Sequence, residues 1–274
     1  MIRDITIGQY YPANSLIHRL DPRVKIVCTL IFLVSLFVQN SFLGYMIATV
    51  FLAAVIKISK VPLKFIVKGL KAIVILLMFT VVMNLFLTKG GEELVHIGFI
   101  RIYENGLRTC VFMAIRLIYL IIGSSLMTLT TTPNMLTDGI EKLLHPLNKI
   151  HCPVHEVAMM MSIALRFIPI LLEETDKIMK AQIARGADME SGNLIQRTKA
   201  MVPILVPLFV SAFRRANDLA MAMEARCYHG GDGRTKMKPL IYRGTDYMAY
   251  TVTILYMIAV VVIGHFVAFK LWIF

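Results

Sequence analysis

Apolar positions along this chain follow two different rhythms. In five places they run nearly unbroken, at residues 26–38, 42–58, 72–88, 107–129 and 247–269. A helix that crosses a bilayer needs about 20 such residues, so these runs predict about five transmembrane helices, the first of them short. Between 130 and 244 the rhythm changes to steps of three and four, the signature of amphipathic helices. Met135 to Leu147 carries Leu136, Ile140, Leu143, Leu144 and Leu147 on one face, an interfacial helix by this pattern. Residues 154–172 are apolar but interrupted by Arg166 and Pro169, and no full crossing is expected there. Residues 201–213 are too short to cross and carry Pro203 and Pro207; a bent, half-buried approach is expected.

Two long amphipathic helices stand out in that stretch. The first places Ile168, Leu171, Leu172, Thr175, Ile178, Met179 and Ile183 on one stripe, with Glu173, Asp176, Lys177 and Lys180 opposite. The second places Leu205, Leu208, Phe209, Ala212, Ala216, Leu219, Ala220 and Met223 on its stripe. Glu173–Lys177, Asp176–Lys180 and Arg214–Asp218 are spaced to pair within each helix. Both helices close on an Ala-Arg pair: Ala184-Arg185-Gly186 and Ala225-Arg226-Cys227. Gly186 suits the left-handed residue that ends a helix, and an arginine in the last turn suits the helix dipole. A lone pair of this kind reads equally well as a solvated helix end. Two alike ends favour recognition: guanidinium is a planar fork for a partner's carboxylate, and alanine lets a partner backbone approach.

Composition sharpens the class. The chain has 274 residues, 57% hydrophobic and 17% charged, with mean hydropathy +0.70; a soluble domain is usually about 45–50% apolar. The net charge of +12 reads, at this apolar content, as loops over anionic lipid rather than nucleic-acid binding. Lys57, Lys60, Lys64, Lys68 and Lys71 crowd one connection, which the positive-inside rule places in the cytoplasm together with the N-terminus. The loop 89–106, with Glu92, Glu93 and Glu104 against Lys89 and Arg101, reads as outside. Asp21 reads as an N-cap and Pro22 as the first residue of a helix. No cleavable signal peptide is evident, because about 23 polar residues precede the first apolar run.

Catalytic chemistry is sparse. No GxxxxGK[ST], GxSxG or HExxH motif occurs, and Cys28, Cys110, Cys152 and Cys227 form no metal or disulfide spacing. His151, Cys152 and His155 come nearest to a metal cluster, but Pro153 disfavours a shared helical face. Asp138 and Glu141 read as a solvated face. Arg116 lies mid-span, where an ionisable residue is a functional candidate; a bond to a carbonyl or carboxylate at a helix contact is the preferred reading. Eighteen methionines, among them Met159-Met160-Met161, Met221 and Met223, suit a core or a surface that repacks against partners.

Three stretches resemble one family, the EcfT transmembrane component of energy-coupling factor transporters, related to CbiQ proteins of cobalt uptake. They are His18-Arg19-Leu20-Asp21-Pro22-Arg23-Val24-Lys25; Arg166-Phe167-Ile168-Pro169 through Ala184-Arg185-Gly186-Ala187-Asp188; and Arg214-Arg215-Ala216 through Ala225-Arg226-Cys227-Tyr228, then Gly233-Arg234-Thr235. The family usually has glycine where Cys227 stands. The resemblance implies an all-α membrane protein, with residues 1–23 a cytoplasmic segment, 24–129 four transmembrane helices, 130–244 a cytoplasmic coupling domain and 245–274 a last transmembrane helix. It implies a non-catalytic, multi-pass plasma-membrane scaffold that carries force from two ABC ATPases of the EcfA type to a membrane S component binding a vitamin or metal. By that match Ala184, Arg185, Gly186, Ala225, Arg226 and Cys227 contact the ATPases. Met159, Met160, Met161, Ala220, Met221 and Met223 face the S component. ATP and Mg would belong to the ATPases, with no cofactor or metal on this chain. A self-contained permease, relying on Asn84, Arg116 and His265, and a metal enzyme built on His151, Cys152 and His155 are the alternatives.

Overall fold

A computed structural model describes residues 10–39, 41–71, 73–87, 90, 93–97, 100–150, 153–187, 194–231, 235–237 and 239–273. Among them the fold is all-α apart from one small hairpin. The helices are α1 (Pro22–Val38), α2 (Phe42–Ser59), α3 (Leu63–Lys71), α4 (Val74–Leu87), α5 (Glu104–Thr130), α6 (Pro133–Leu144), α7 (Val154–Ala184), α8 (Leu194–Glu224) and α9 (Gly244–Ile273). A 3-10 turn, His145–Ile150, follows α6. The hairpin pairs β1 (Glu93–Ile97) with β2 (Ile100–Tyr103), antiparallel, with a bulge between Glu93 and Val95. It was not expected from the mixed charge of loop 89–106; its β-branched Val95, Ile97, Ile100 and Ile102 favour a strand.

Two compact units result: Gly8–Gly139 with Leu240–Phe274, and Ile140–Pro239. The first holds all five of the unbroken apolar runs. Here α1 packs on α5 and α9, α2 on α9 and α5, and α3 and α4 on α5. Phe32, Leu36, Tyr45, Leu52, Leu126 and Val260 are buried at its centre, and Phe51 stacks on Tyr256 at 4.3 Å between ring centroids. The buried Ser35 hydroxyl pairs with that of Tyr256 at 2.8 Å, satisfying two polar groups where no water is at hand. The lysine-rich connection is a helix rather than an open loop: α3 buries Ile66 and leaves Leu63, Phe65 and Val67 exposed.

Arg116 of α5 lies where the sequence puts it, and its guanidinium donates to the Gln39 carbonyl (3.0 Å) and the Tyr45 hydroxyl (3.1 Å). That is the carbonyl contact expected of a structural arginine. Among the described residues, four helices are long and apolar enough to cross a membrane: Phe42–Ser59, Glu104–Thr130, Val154–Ala184 and Gly244–His265. One of them corrects an expectation. Arg166 and Pro169 do not interrupt 154–172; α7 continues through both for 31 residues. An interior proline removes one donor, a loss that a helix of this length absorbs. Likewise α8 runs through Pro203 and Pro207, without the break expected at 201–213. It also begins within the expected polar turn 188–199, of which 188–193 lie outside the described residues.

Candidate functional site

The Ala-Arg motifs sit at the C-terminal ends of α7 and α8, which pack as an antiparallel pair. The register is fixed by side chains. Gln182 Nε2 donates to the Pro203 carbonyl at 3.3 Å. Eight residues earlier, Glu174 accepts from Ser211 Oγ at 2.5 Å and from Arg215 Nη2 at 2.8 Å and Nε at 3.1 Å. Glu174 is thereby held by two partners on the facing helix. Among the described residues, no ion pair forms at Glu173–Lys177, Asp176–Lys180 or Arg214–Asp218. Exposed pairs of that kind gain little against the entropy of two long side chains.

The two helix ends are the same structure. Arg185 is the C-cap of α7; Gly186 N–H donates to the Ile183 carbonyl (2.9 Å) and Ala187 N–H to that of Gln182 (3.0 Å). At α8, Cys227 N–H donates to the Glu224 carbonyl (2.9 Å) and Tyr228 N–H to that of Met223 (3.1 Å). Both are the paired-bond helix stop known as the Schellman motif, and both need a left-handed residue just past the cap. Gly186 has φ +87° and Cys227 φ +52°. The cysteine therefore keeps the glycine geometry, against the ordinary steric preference of a side chain. Ala184, Arg185, Ala225 and Arg226 are all exposed. The antiparallel register puts the two arginines at opposite ends of the pair, about 40 Å apart at 1.5 Å of rise per residue.

The same register brings the candidate partner-facing residues together. Continued toward the start of α7, it sets Met159–Met161 opposite residues 224–226, beside Ala220, Met221 and Met223. Met160, Met161, Ala220 and Met221 are exposed, while Met159 and Met223 are half-buried. On α8 the face turned to α7 is Ile204, Leu208, Ser211, Ala212, Arg215, Leu219 and Met223, all buried or half-buried. The expected stripe is rotated from this: Leu205, Phe209, Ala216 and Ala220 are exposed. With Val206, Val210 and Phe213 they form a wide apolar face open to a partner; Phe213 is 68% exposed.

The CbiQ family model, described as cobalt transport protein, matches residues 13–237. A protein of Clostridium kluyveri is 62% identical over 250 residues, covering 91% of this chain and 93% of its own. One of Ruminiclostridium cellulolyticum is 52% identical over 265 residues, covering 97% and 99%. One of Bacillus subtilis is 50% identical over 246 residues, covering 90% and 93%. All three carry the name energy-coupling factor transporter transmembrane protein EcfT. The chain belongs to the EcfT/CbiQ family of transport proteins.

The opening motif that resembles the EcfT/CbiQ pattern is a polar hub in the membrane unit. Asp21 caps α1, accepting from the Arg23 backbone at 2.9 Å with Pro22 just inside the helix. The Arg23 side chain returns to both oxygens of Asp21 (3.0 and 2.9 Å), donates to the Leu240 carbonyl and lies 3.9 Å from the Tyr242 ring centroid. Burial pushes the Asp21 carboxyl up, but the hydrogen bonds and charge of Arg23 hold it below its ordinary value. Asp246, in the first turn of α9, accepts from the backbone of Asp21 (2.9 Å) and of Arg243 (2.7 Å). Lys25 donates to the carbonyls of His18 (3.2 Å) and Thr130 (2.8 Å), the last residue of α5. The motif thus ties three helix ends together, beyond the helix start read from sequence.

Of the proposed metal cluster, His151 and Cys152 lie outside the described residues. His155 Nδ1 bonds Glu141 Oε1 at 3.0 Å, and Lys236 takes the other oxygen of Glu141. Glu141 is therefore not on a solvated face. Burial raises its carboxyl pKa, and Lys236 and His155 more than reverse that and lower it. Among the described residues, no three metal-ligating side chains converge.

Proposed function

We propose that this chain is the scaffold that couples two cytoplasmic ATP-binding-cassette ATPases to a membrane subunit holding a vitamin or transition metal. The observation that carries this reading is the pair of matching Arg-capped ends at opposite ends of one antiparallel helix pair. Each presents a guanidinium at a rigid helix end, the geometry for capture by one of two equivalent grooves. With Glu174, Ser211 and Arg215 holding α7 to α8, a change in the spacing of the ATPases is carried to the apolar face of the pair. The substrate-binding subunit sits against that face and its methionine-rich end, and it reorients as the helices move. ATP and Mg stay on the ATPases; this chain contributes contacts and motion. N-terminus and coupling helices face the cytoplasm, on the side of the lysine-rich connection.

The test is a mild-detergent pull-down from native membranes with the tagged chain, as wild type and as Arg185→Ala with Arg226→Ala. Two ATPases accompany the wild type and are depleted in the double variant. Each single variant is intermediate, since truncating one partner of a buried charged pair costs about 2–5 kcal/mol. Recovery of no ATPase with wild type at low salt, or undiminished recovery with the double variant, overturns the assignment.

A further inference from the structure

We propose that the membrane unit holds one acyl chain of an anionic phospholipid in a groove among α1, α2, α5 and α9. A cavity of about 260 Å³ opens there. Its floor is buried Val24, Leu52 and Leu126, and its rim is exposed Leu16, Met248 and Val252. Nearly every lining group is apolar, so neither water nor a polar solute is stabilised inside, while a hydrocarbon chain is. The polar groups in the lining are four threonine hydroxyls, of Thr29, Thr130, Thr245 and Thr253, and one charged group, Lys25, 5% exposed, two of whose three donors are taken by carbonyls.

Charge around the mouth selects the headgroup. The groove lies where α1 and α9 begin and α2 and α5 end. Arg19, Lys57, Lys60 and Arg243, near those ends in sequence, are exposed. The acids there are withdrawn or engaged: Asp21 is bound by Arg23, Asp246 is 1% exposed, and Asp138 of α6, next to Gly139 on Pro22, is half-buried and engaged by another group. The open charge at this end is therefore cationic. A phosphate with net negative charge is favoured by about fivefold for each nearby cation, and a zwitterionic headgroup is not. This inference needs only the basic end and the groove, not the coupling role.

The full-length chain is reconstituted in phosphatidylethanolamine vesicles with a minority of phosphatidylglycerol bearing a diazirine in its acyl chain. After irradiation, labelled peptides are mapped by mass spectrometry. Label concentrates on residues 24–32 and 245–253. Moving the same labelled chain to phosphatidylcholine lowers it by about fivefold or more, and Arg19→Gln, Lys57→Gln, Lys60→Gln and Arg243→Gln made together bring the two probes level. Ala249→Phe or Val252→Trp, filling the groove from its wall and from its rim, removes the label. Leu255→Phe, at an exposed position of the same helix outside the groove, leaves it. Label spread evenly over exposed helix faces and indifferent to both filling variants overturns the proposal, as does equal labelling by the two headgroups. Loss of the label when partner subunits remain bound shows a protein surface covering the groove instead, and overturns it too.

Discussion

Cys227 holds a backbone conformation that its side chain disfavours, and Gly186 holds its equivalent without penalty. Left-handed φ costs a residue with a Cβ about 1–2 kcal/mol. Nothing lies within 4 Å of a Cβ placed at Gly186, so the two sites isolate backbone strain from packing. Cys227→Gly should stabilise the chain by about 1 kcal/mol, and Gly186→Ala should cost about 1 kcal/mol. Thermal unfolding in mild detergent measures both; a Cys227→Gly variant that melts below wild type would falsify the strain argument. At Glu141 the sign with pH is set by a carboxyl held below its ordinary range in the folded chain. Its contribution is complete above the unfolded pKa and is lost as pH falls through the folded one. From about pH 6 down to about pH 3, the melting temperature of wild type should therefore fall more steeply than that of Glu141→Gln. Parallel curves would remove Glu141 from the acid response.

Glu174, Ser211 and Arg215 set the register of α7 on α8. Arg215→Glu should loosen the helix pair, and Glu174→Arg in the same chain should restore it. Disulfide trapping between cysteines introduced at Gln182→Cys and Pro203→Cys reports the pairing. If the double charge swap traps no better than either single swap, the two side chains do not act as a pair. Why this contact escaped the sequence is a matter of range. The cap at Asp21 and Pro22 and the stop at Gly186 are written within a few residues, and they are legible because one turn of helix decides them. Glu174 finds Arg215 only once the relative rotation of two helices is known. That rotation was misread because α8 is apolar almost all round from Met201 to Phe213, so periodicity offers several faces of equal merit. Its packed face is the one carrying Ser211 and Arg215. Pro169, Pro203 and Pro207 misled for the opposite reason: each is a local breaker, and long helices with partners override a single lost bond.

The basic bias of the whole chain and the two Arg-capped ends make one joint claim about sidedness. Lys57, Lys60 and Lys64 are exposed around the α2–α3 connection, and Asn105 is exposed at the start of α5. Since α5 is long enough to cross the bilayer, its first turn and the lysine cluster should lie on opposite sides. The tip of α8 carries its own reporter once Cys152, which lies outside the described residues, is replaced by serine in every chain compared, the reference included: Cys227 is exposed, while Cys110 is buried and Cys28 half-buried. A membrane-impermeant maleimide should therefore label the Cys152→Ser chain in inside-out vesicles, and adding Cys227→Ser should remove that label. Asn105→Cys, made in the Cys227→Ser background, should label only in right-side-out vesicles. Labelling of Cys227 from the outer face would place the Ala-Arg ends beyond the reach of any cytoplasmic ATPase, and the coupling role would fail with it. Labelling of both sites from the cytoplasmic face would leave the tips where the role requires them. It would instead show that α5 does not cross, and that its arginine at 116 is held by Gln39 and Tyr45 within an interfacial rather than a spanning helix.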